Sequence, residues 1–236
     1  ASKFYGTPGR NTGFVAYLSL SFLFFASFVS ASHGLLKKYA MALVSTGSIL
    51  AIYGLFQSRG YDFYEFGNAY GTNVFGSFGN PNFQSAFMGI TATVSLSLAT
   101  FSKVKIYFKA ALLAVTFLAI YNISLSSQQG YLTFAAGFAT AITIYLFTSR
   151  KQFLGWITLI ISGISTFLIL LGILNFGPLA AIIYKSSLLA RGFYWRAAGK
   201  MMLEHPLLGV GMDGYGDAYL RSRTTEIATF NAGISA

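Results

Sequence analysis

Six apolar stretches of about twenty residues dominate this chain, the length at which a helix crosses the hydrocarbon core of a bilayer. They are Phe14–Ser32, Tyr39–Gln57, Asn82–Phe101, Tyr107–Ser126, Gly130–Thr148 and Phe153–Phe176. None contains an Asp, Glu or Arg, and only Lys109 falls inside one, near its end. Charged residues make up 9% of the 236 and apolar ones 55%, whereas a soluble domain carries roughly 25% charge. A chain so poor in charge cannot cover its surface for water. The expected fold is all-α: a polytopic transmembrane helix bundle of about six spans over residues 1–176, with a polar segment after it.

Lys and Arg in the connections orient the bundle. One side holds Lys37, Lys38, Lys103, Lys105, Lys109, Arg150 and Lys151 and no acid. The other holds Lys3, Arg10, Arg59, the basic residues of the tail and all six acids. The first side is expected to be cytoplasmic, in a cytoplasmic (inner) membrane crossed several times. Small residues recur every four positions along the third stretch, at Ser85, Gly89, Thr93 and Ser97, and in the fifth at Ala135/Ala139 and Gly137/Ala141. Such stripes let another helix approach closely. Asn80-Pro81-Asn82 offers a cap and an early proline to start the third helix.

Residues 177–236 read as the start of a large extracytoplasmic loop. Pro178–Ala190 is apolar but too short to cross. Arg191–His205 reads as an amphipathic helix, with Arg196, Lys200 and Glu204 on one stripe and Phe193, Ala197 and Met201 on another. Pro206 ends it.

Chemistry, if present, is expected on the outer side. The first, third and fifth spans point their amino termini outward, near Asn11-Thr12, Asn82 and Gln129-Gly130, and helix amino termini favour anions. Arg10, Arg59, Arg191, Arg196, Lys200, Arg221 and Arg223 lie on that side. A phosphate or pyrophosphate head group would satisfy them; so would lipid phosphates, or pairing with Glu204, Asp213 and Glu226. The net charge of +10 fits membrane topology and anionic lipids rather than nucleic acid. Gly209-Val-Gly211-Met-Asp-Gly214 matches the dinucleotide fingerprint, but no strand precedes it, so it reads as a glycine-rich turn. Asn122-Ile-Ser124 matches a glycosylation sequon inside a span and is discounted. His33 and His205, the two histidines, are too few and too far apart for a zinc cluster; His205 reads as a residue that caps or packs at a helix end rather than as a base. Asp62 and Glu65, like Asp213 and Asp217, read as solvated loop acids.

Three segments, in order along the chain, resemble the O-antigen ligase and polymerase-like superfamily of bacterial membrane glycosyltransferases. Gly6-Thr-Pro-Gly-Arg10-Asn-Thr-Gly13 is similar to its Arg-and-Gly segment before a span. Gly76-Ser-Phe-Gly-Asn80-Pro81-Asn82-Phe83 is similar to its Gly-Asn-Pro-Asn helix start. Arg191-Gly-Phe-Tyr-Trp195-Arg196, followed by His205-Pro206-Leu-Leu-Gly209-Val-Gly211, resembles its Arg/Trp then Pro-Leu-Leu-Gly-Val-Gly signature. The resemblance implies transfer of a glycan from an undecaprenyl-pyrophosphate carrier to an acceptor hydroxyl at the outer membrane face, without a metal or other cofactor. It implies that Arg191 serves catalysis at the leaving pyrophosphate, with Arg196 and Arg10 as substrate-binding candidates. Gln129 joins them: where many members carry an Arg before the Gly that opens the fifth span, Ser127-Gln128-Gln129-Gly130 offers neutral amides. The family's His follows a second arginine region; Thr229–Gly233 resembles the approach to it, so that His is expected beyond Ala236 and the chain is expected to be the central part of a longer one. The implied partners are a polyprenyl-pyrophosphate-linked glycan, membrane lipids and further proteins of a membrane complex, without nucleic acid. The rival classes are a non-catalytic membrane subunit and a transporter or flippase that binds lipid-linked saccharides.

Overall fold

The apolar stretches are helices in the computed structural model, which describes residues 2–5, 13–32, 34–62, 73–184, 186–211 and 214–222. The elements run α1 (Ser2–Tyr5), α2 (Phe14–Ser32), α3 (Leu36–Ser58), a 3₁₀ turn (Gly76–Phe78), α4 (Pro81–Phe101), α5 (Ile106–Ser126), α6 (Gln129–Thr148), α7 (Gln152–Ile173), α8 (Ala180–Ile183), α9 (Ser186–Glu204) and α10 (Tyr215–Ser222). No strand occurs among the described residues. Four helices, α3, α5, α6 and α7, are long and apolar enough to cross a membrane, while the apolar part of α2, Phe14–Ser30, is shorter.

The chain divides into two compact units, one of Gly34–Ser165 and one gathering Ala1–His33 with Thr166–Ala236. The division falls within α7.

In the Gly34–Ser165 unit, α4 is the central helix, packed against α3, α5 and α6. This explains why α4 is not among the four. Gln84, Ser85, Thr91 and Ser95 make part of its surface polar, and all four are fully buried. Lipid does not reach them. Ser95 Oγ lies 2.8 Å from Thr116 Oγ1 of α5, close enough for one hydroxyl to donate to the other, while the accepting hydroxyl donates to a carbonyl one turn earlier in its own helix, that of Thr91 for Ser95 or of Leu112 for Thr116. A hydroxyl paired in this way carries no orphaned donor into the core. Around it, Ala51, Met88, Ala92, Ala119 and Ile123 form one apolar cluster and Val44, Ala99 and Leu112 a second.

The Ser85, Gly89 and Thr93 stripe of α4 lies against α6. A Cβ on Gly89 would sit 2.6 Å from the Gly130 carbonyl oxygen, and one on Gly137 would sit 2.8 Å from Thr93 Oγ1. The two backbones therefore approach more closely than any larger residue would allow. Ala135 is exposed, whereas Gly137 is half-buried. Between α6 and α7, Thr143 Oγ1 donates to Thr158 Oγ1 at 3.1 Å, and the rings of Phe147 and Trp156 meet edge to face.

In the other unit, α2 presents Phe22, Leu23, Phe24, Phe25 and Phe28 exposed. On α9, Phe193, Ala197 and Met201 are buried while Arg196, Lys200 and Glu204 are exposed, matching the two expected stripes. The helix begins at Ser186, earlier than expected. α10 packs on α9, where Tyr215 Oη donates to the Tyr194 carbonyl at 2.8 Å and the rings of Tyr194, Tyr215 and Tyr219 cluster.

Candidate functional site

At one end of the Gly34–Ser165 unit, the last turn of α3, the starts of α4 and α6 and the end of α5 build a polar cluster. Asn80, extended in backbone, caps α4 by accepting from Asn82 N–H at 2.8 Å, with Pro81 in the first turn. The side chain of Asn82 accepts in turn from Ser127 Oγ at 2.7 Å. Ser85 Oγ donates to the Ser127 carbonyl and accepts from Gly130 N–H at 2.8 Å. Two helix amino termini are thereby bonded through side chains of the Ser127–Gly130 segment and the first turns of α4.

This arrangement changes the reading of the α6 amino terminus. The Gly130 N–H, expected to face an anion, is already satisfied by Ser85. A Cβ on Gly130 would lie 2.4 Å from the Ser85 carbonyl oxygen and 2.8 Å from Ile123 Cγ1. Gly130 is required by helix packing. Gln129, one residue earlier, is exposed, and its side chain makes no hydrogen bond among the described residues.

Beside this cluster, Gln57 of α3 does what the sequence did not announce. Its Oε1 accepts from both Phe75 N–H and Gly76 N–H at 2.9 Å, and its Nε2 donates to Asp62 Oδ2 at 2.7 Å. Tyr53 Oη donates to the other Asp62 oxygen. Asp62 is therefore an anchored carboxylate, held by two side chains of α3, and not simply a solvated loop acid. A cleft of about 570 Å³ opens at Phe56, Gly60, Tyr61 and Asp62. Deeper in, Gln84 Nε2 donates to Asn122 Oδ1 at 3.3 Å, Asn122 Nδ2 donates to the Ala51 carbonyl at 2.8 Å, and Gln84 Oε1 has no partner among the described residues. Asn122, discounted as a glycosylation site, is a buried tie between α5 and α3.

Arg191 and Arg196 belong to the other unit. Arg191 lies in the second turn of α9, exposed and without an ion pair among the described residues. Arg196 is exposed and stands over the Phe193 ring at 5.9 Å. Lys200 pairs with Glu204 at 3.9 Å, both well exposed, so the pair contributes little to stability. Five residues separate Arg191 from Arg196, about 140° around a helix. The two guanidiniums therefore leave α9 on different sides and do not form one cradle. Arg10 lies outside the described residues, as do His33, Glu65, Asp213 and Thr229–Gly233.

His205 ends α9 through its backbone, its N–H donating to the Met201 carbonyl at 2.9 Å and its carbonyl accepting from Gly209 N–H at 3.0 Å. Its side chain is exposed and makes no hydrogen bond among the described residues, so it does not cap the helix as expected. Gly209 and Gly211 adopt positive φ, +60° and +87°, in a turn with no strand before it. That is a glycine-rich turn.

The fold and these clusters define a helical chain with four membrane-crossing helices by length and composition. No protein-family model, curated protein or solved structure matches the chain.

Proposed function

We propose that the chain is a membrane glycosyltransferase of the O-antigen ligase-like type, crossing the cytoplasmic membrane about six times. It moves a glycan from an undecaprenyl-pyrophosphate carrier to an acceptor at the outer face. The acceptor oxygen attacks the anomeric carbon, the bond from that carbon to the pyrophosphate oxygen breaks, and the acceptor proton passes to a base. Negative charge grows on the departing pyrophosphate, and a cation held there lowers the barrier because its attraction strengthens as the bond breaks.

The observation that carries this reading is Arg191: a guanidinium exposed on α9, unpaired with any described acid, within the segment that resembles the family signature. Support also comes from the Asn80-Pro81-Asn82 start of α4, which has the capped geometry that its motif requires. With the Lys37 and Lys103 end taken as cytoplasmic, the Asn80, Ser127 and Asp62 end lies at the outer face. One observation favours the rival, a non-catalytic subunit that binds lipid-linked saccharide: the Gly130 N–H is committed to Ser85 and lends nothing to a substrate phosphate.

The test is glycan transfer in proteoliposomes supplied with the polyprenyl-pyrophosphate glycan. Arg191→Ala is expected to lower transfer at least about a hundredfold, the scale for loss of one donor to transition-state charge, with unchanged thermal unfolding. Wild-type transfer by a folded Arg191→Ala would sink the assignment.

A further inference from the structure

At the end of the Gly34–Ser165 unit opposite Asp62, the first turns of α3 and α5 and the last turn of α4 enclose a cleft of about 380 Å³. Lys37 and Lys103 line it and are exposed. The rest of the wall is mainly apolar: Met41 of α3, Leu98 of α4, and Phe108 and Leu112 of α5. Leu98 and Leu112 also pack into the cluster around Val44 and Ala99, so the cleft has a firm floor. The Ser102 hydroxyl is turned back to the Leu98 carbonyl. The charge of the cleft is thus that of its two lysines.

Among the described residues of this unit, no acid lies beside them. Asp62 follows the far end of α3, roughly 35 Å away along a helix of that length. Two ammonium groups on one apolar cleft repel each other unless an anion lies between them, and the apolar wall asks for hydrocarbon. A free phosphate would satisfy the lysines and leave the wall wet. A neutral lipid would cover the wall and leave the charge unbalanced.

The geometry points to an anionic glycerophospholipid bound in this cleft, its phosphate between Lys37 and Lys103 and an acyl chain along Met41, Leu98, Phe108 and Leu112. Lysine suits this role, since it meets phosphate as a flexible point charge. The site rests on the chain being embedded in a membrane and is independent of the transferase reading, so neither fails with the other.

The test uses the full chain in detergent, titrated with phosphatidylglycerol or phosphatidylcholine and read by native mass spectrometry. Three proteins are compared: wild type, Lys37→Gln/Lys103→Gln, and Lys38→Gln/Lys151→Gln, whose lysines do not line the cleft. Phosphatidylglycerol is expected to bind the cleft variant about thirty-fold more weakly, equivalent to roughly 2 kcal/mol for two lysines near anionic lipid, and the other pair nearly as wild type. Met41→Trp, which fills the apolar part, is expected to weaken the same lipid. Lys103→Gln alone, in a loop, carries the comparison if the double variant does not fold. Equal loss in both lysine pairs would reduce the effect to general surface attraction and overturn the site. Equal binding of phosphatidylcholine, competition by glycerol phosphate as strong as by the whole lipid, or a co-purifying peptide in the cleft would each overturn it as well.

Discussion

Gly130→Ala separates packing from chemistry at the start of α6. The added methyl carbon would lie 2.4 Å from the Ser85 carbonyl oxygen, 2.5 Å from Ser85 Oγ and 2.8 Å from Ile123 Cγ1. The nearest atom is backbone, so no rotamer change relieves the clash. The two helices must move apart by more than about half an ångström, and overpacking of this kind costs about 1–3 kcal/mol. The same movement stretches the 2.8 Å bond from Gly130 N–H to Ser85 Oγ, worth about another 1 kcal/mol. A loss of about 2–4 kcal/mol lowers the unfolding midpoint of a chain this size by roughly 5–15 °C. Heating in detergent, followed by intrinsic fluorescence and by the monodisperse fraction in size exclusion, measures it. Adding Ser85→Ala is not expected to rescue the variant, because the carbonyl remains and a Ser127 carbonyl loses its donor. An unchanged midpoint together with lost transfer would refute the packing argument and return Gly130 to the substrate.

Gly137→Ala should behave differently. Its methyl would meet the Thr93 side chain, at 2.8 Å from Oγ1, 2.9 Å from Cγ2 and 3.4 Å from Cβ, so Thr93→Ala is expected to restore most of the lost midpoint; no rescue would mean that backbone approach dominates there too. Gln57→Leu removes the acceptor of Phe75 N–H and Gly76 N–H, and hydrogen exchange at these two amides is expected to rise on the order of tenfold. Unchanged exchange would show that the 3₁₀ turn holds itself. Tyr215, whose phenol is raised above its ordinary value of 10.0 by burial first and then by Tyr219 and Tyr194, favours the folded state while protonated. Its contribution is complete below pH 10.0 and is lost as the pH rises beyond it. The stability difference between wild type and Tyr215→Phe should therefore shrink in alkali, and a difference that grows there would refute the contact.

Much of the fold is legible in the sequence because lipid imposes a length rule. Six apolar runs of about twenty residues become α2 through α7, with ends displaced by three residues at most. The Asn80 cap is legible for the same local reason, since a side chain accepts from an amide two residues away. The opposite sides taken by Arg191 and Arg196 follow from helix geometry once α9 is known to be continuous across both.

The neighbours of each helix were decided by tertiary structure alone. In lipid every apolar face is equally comfortable, so hydrophobicity marks which segments are helices and says little about which faces meet. That α4 is central emerges only when Ser95 meets Thr116 and Gly89 meets Gly130. Gln57 reads as an ordinary helix-end amide until the chain returns, eighteen residues later, to present two N–H groups to it. Asp62 reads as a loop acid until Tyr53 and Gln57 close on it. Local hydrogen bonds and insertion length are written residue by residue along the chain. Close approach and long-range polar pairing depend on where two backbones cross, which is a property of the folded chain.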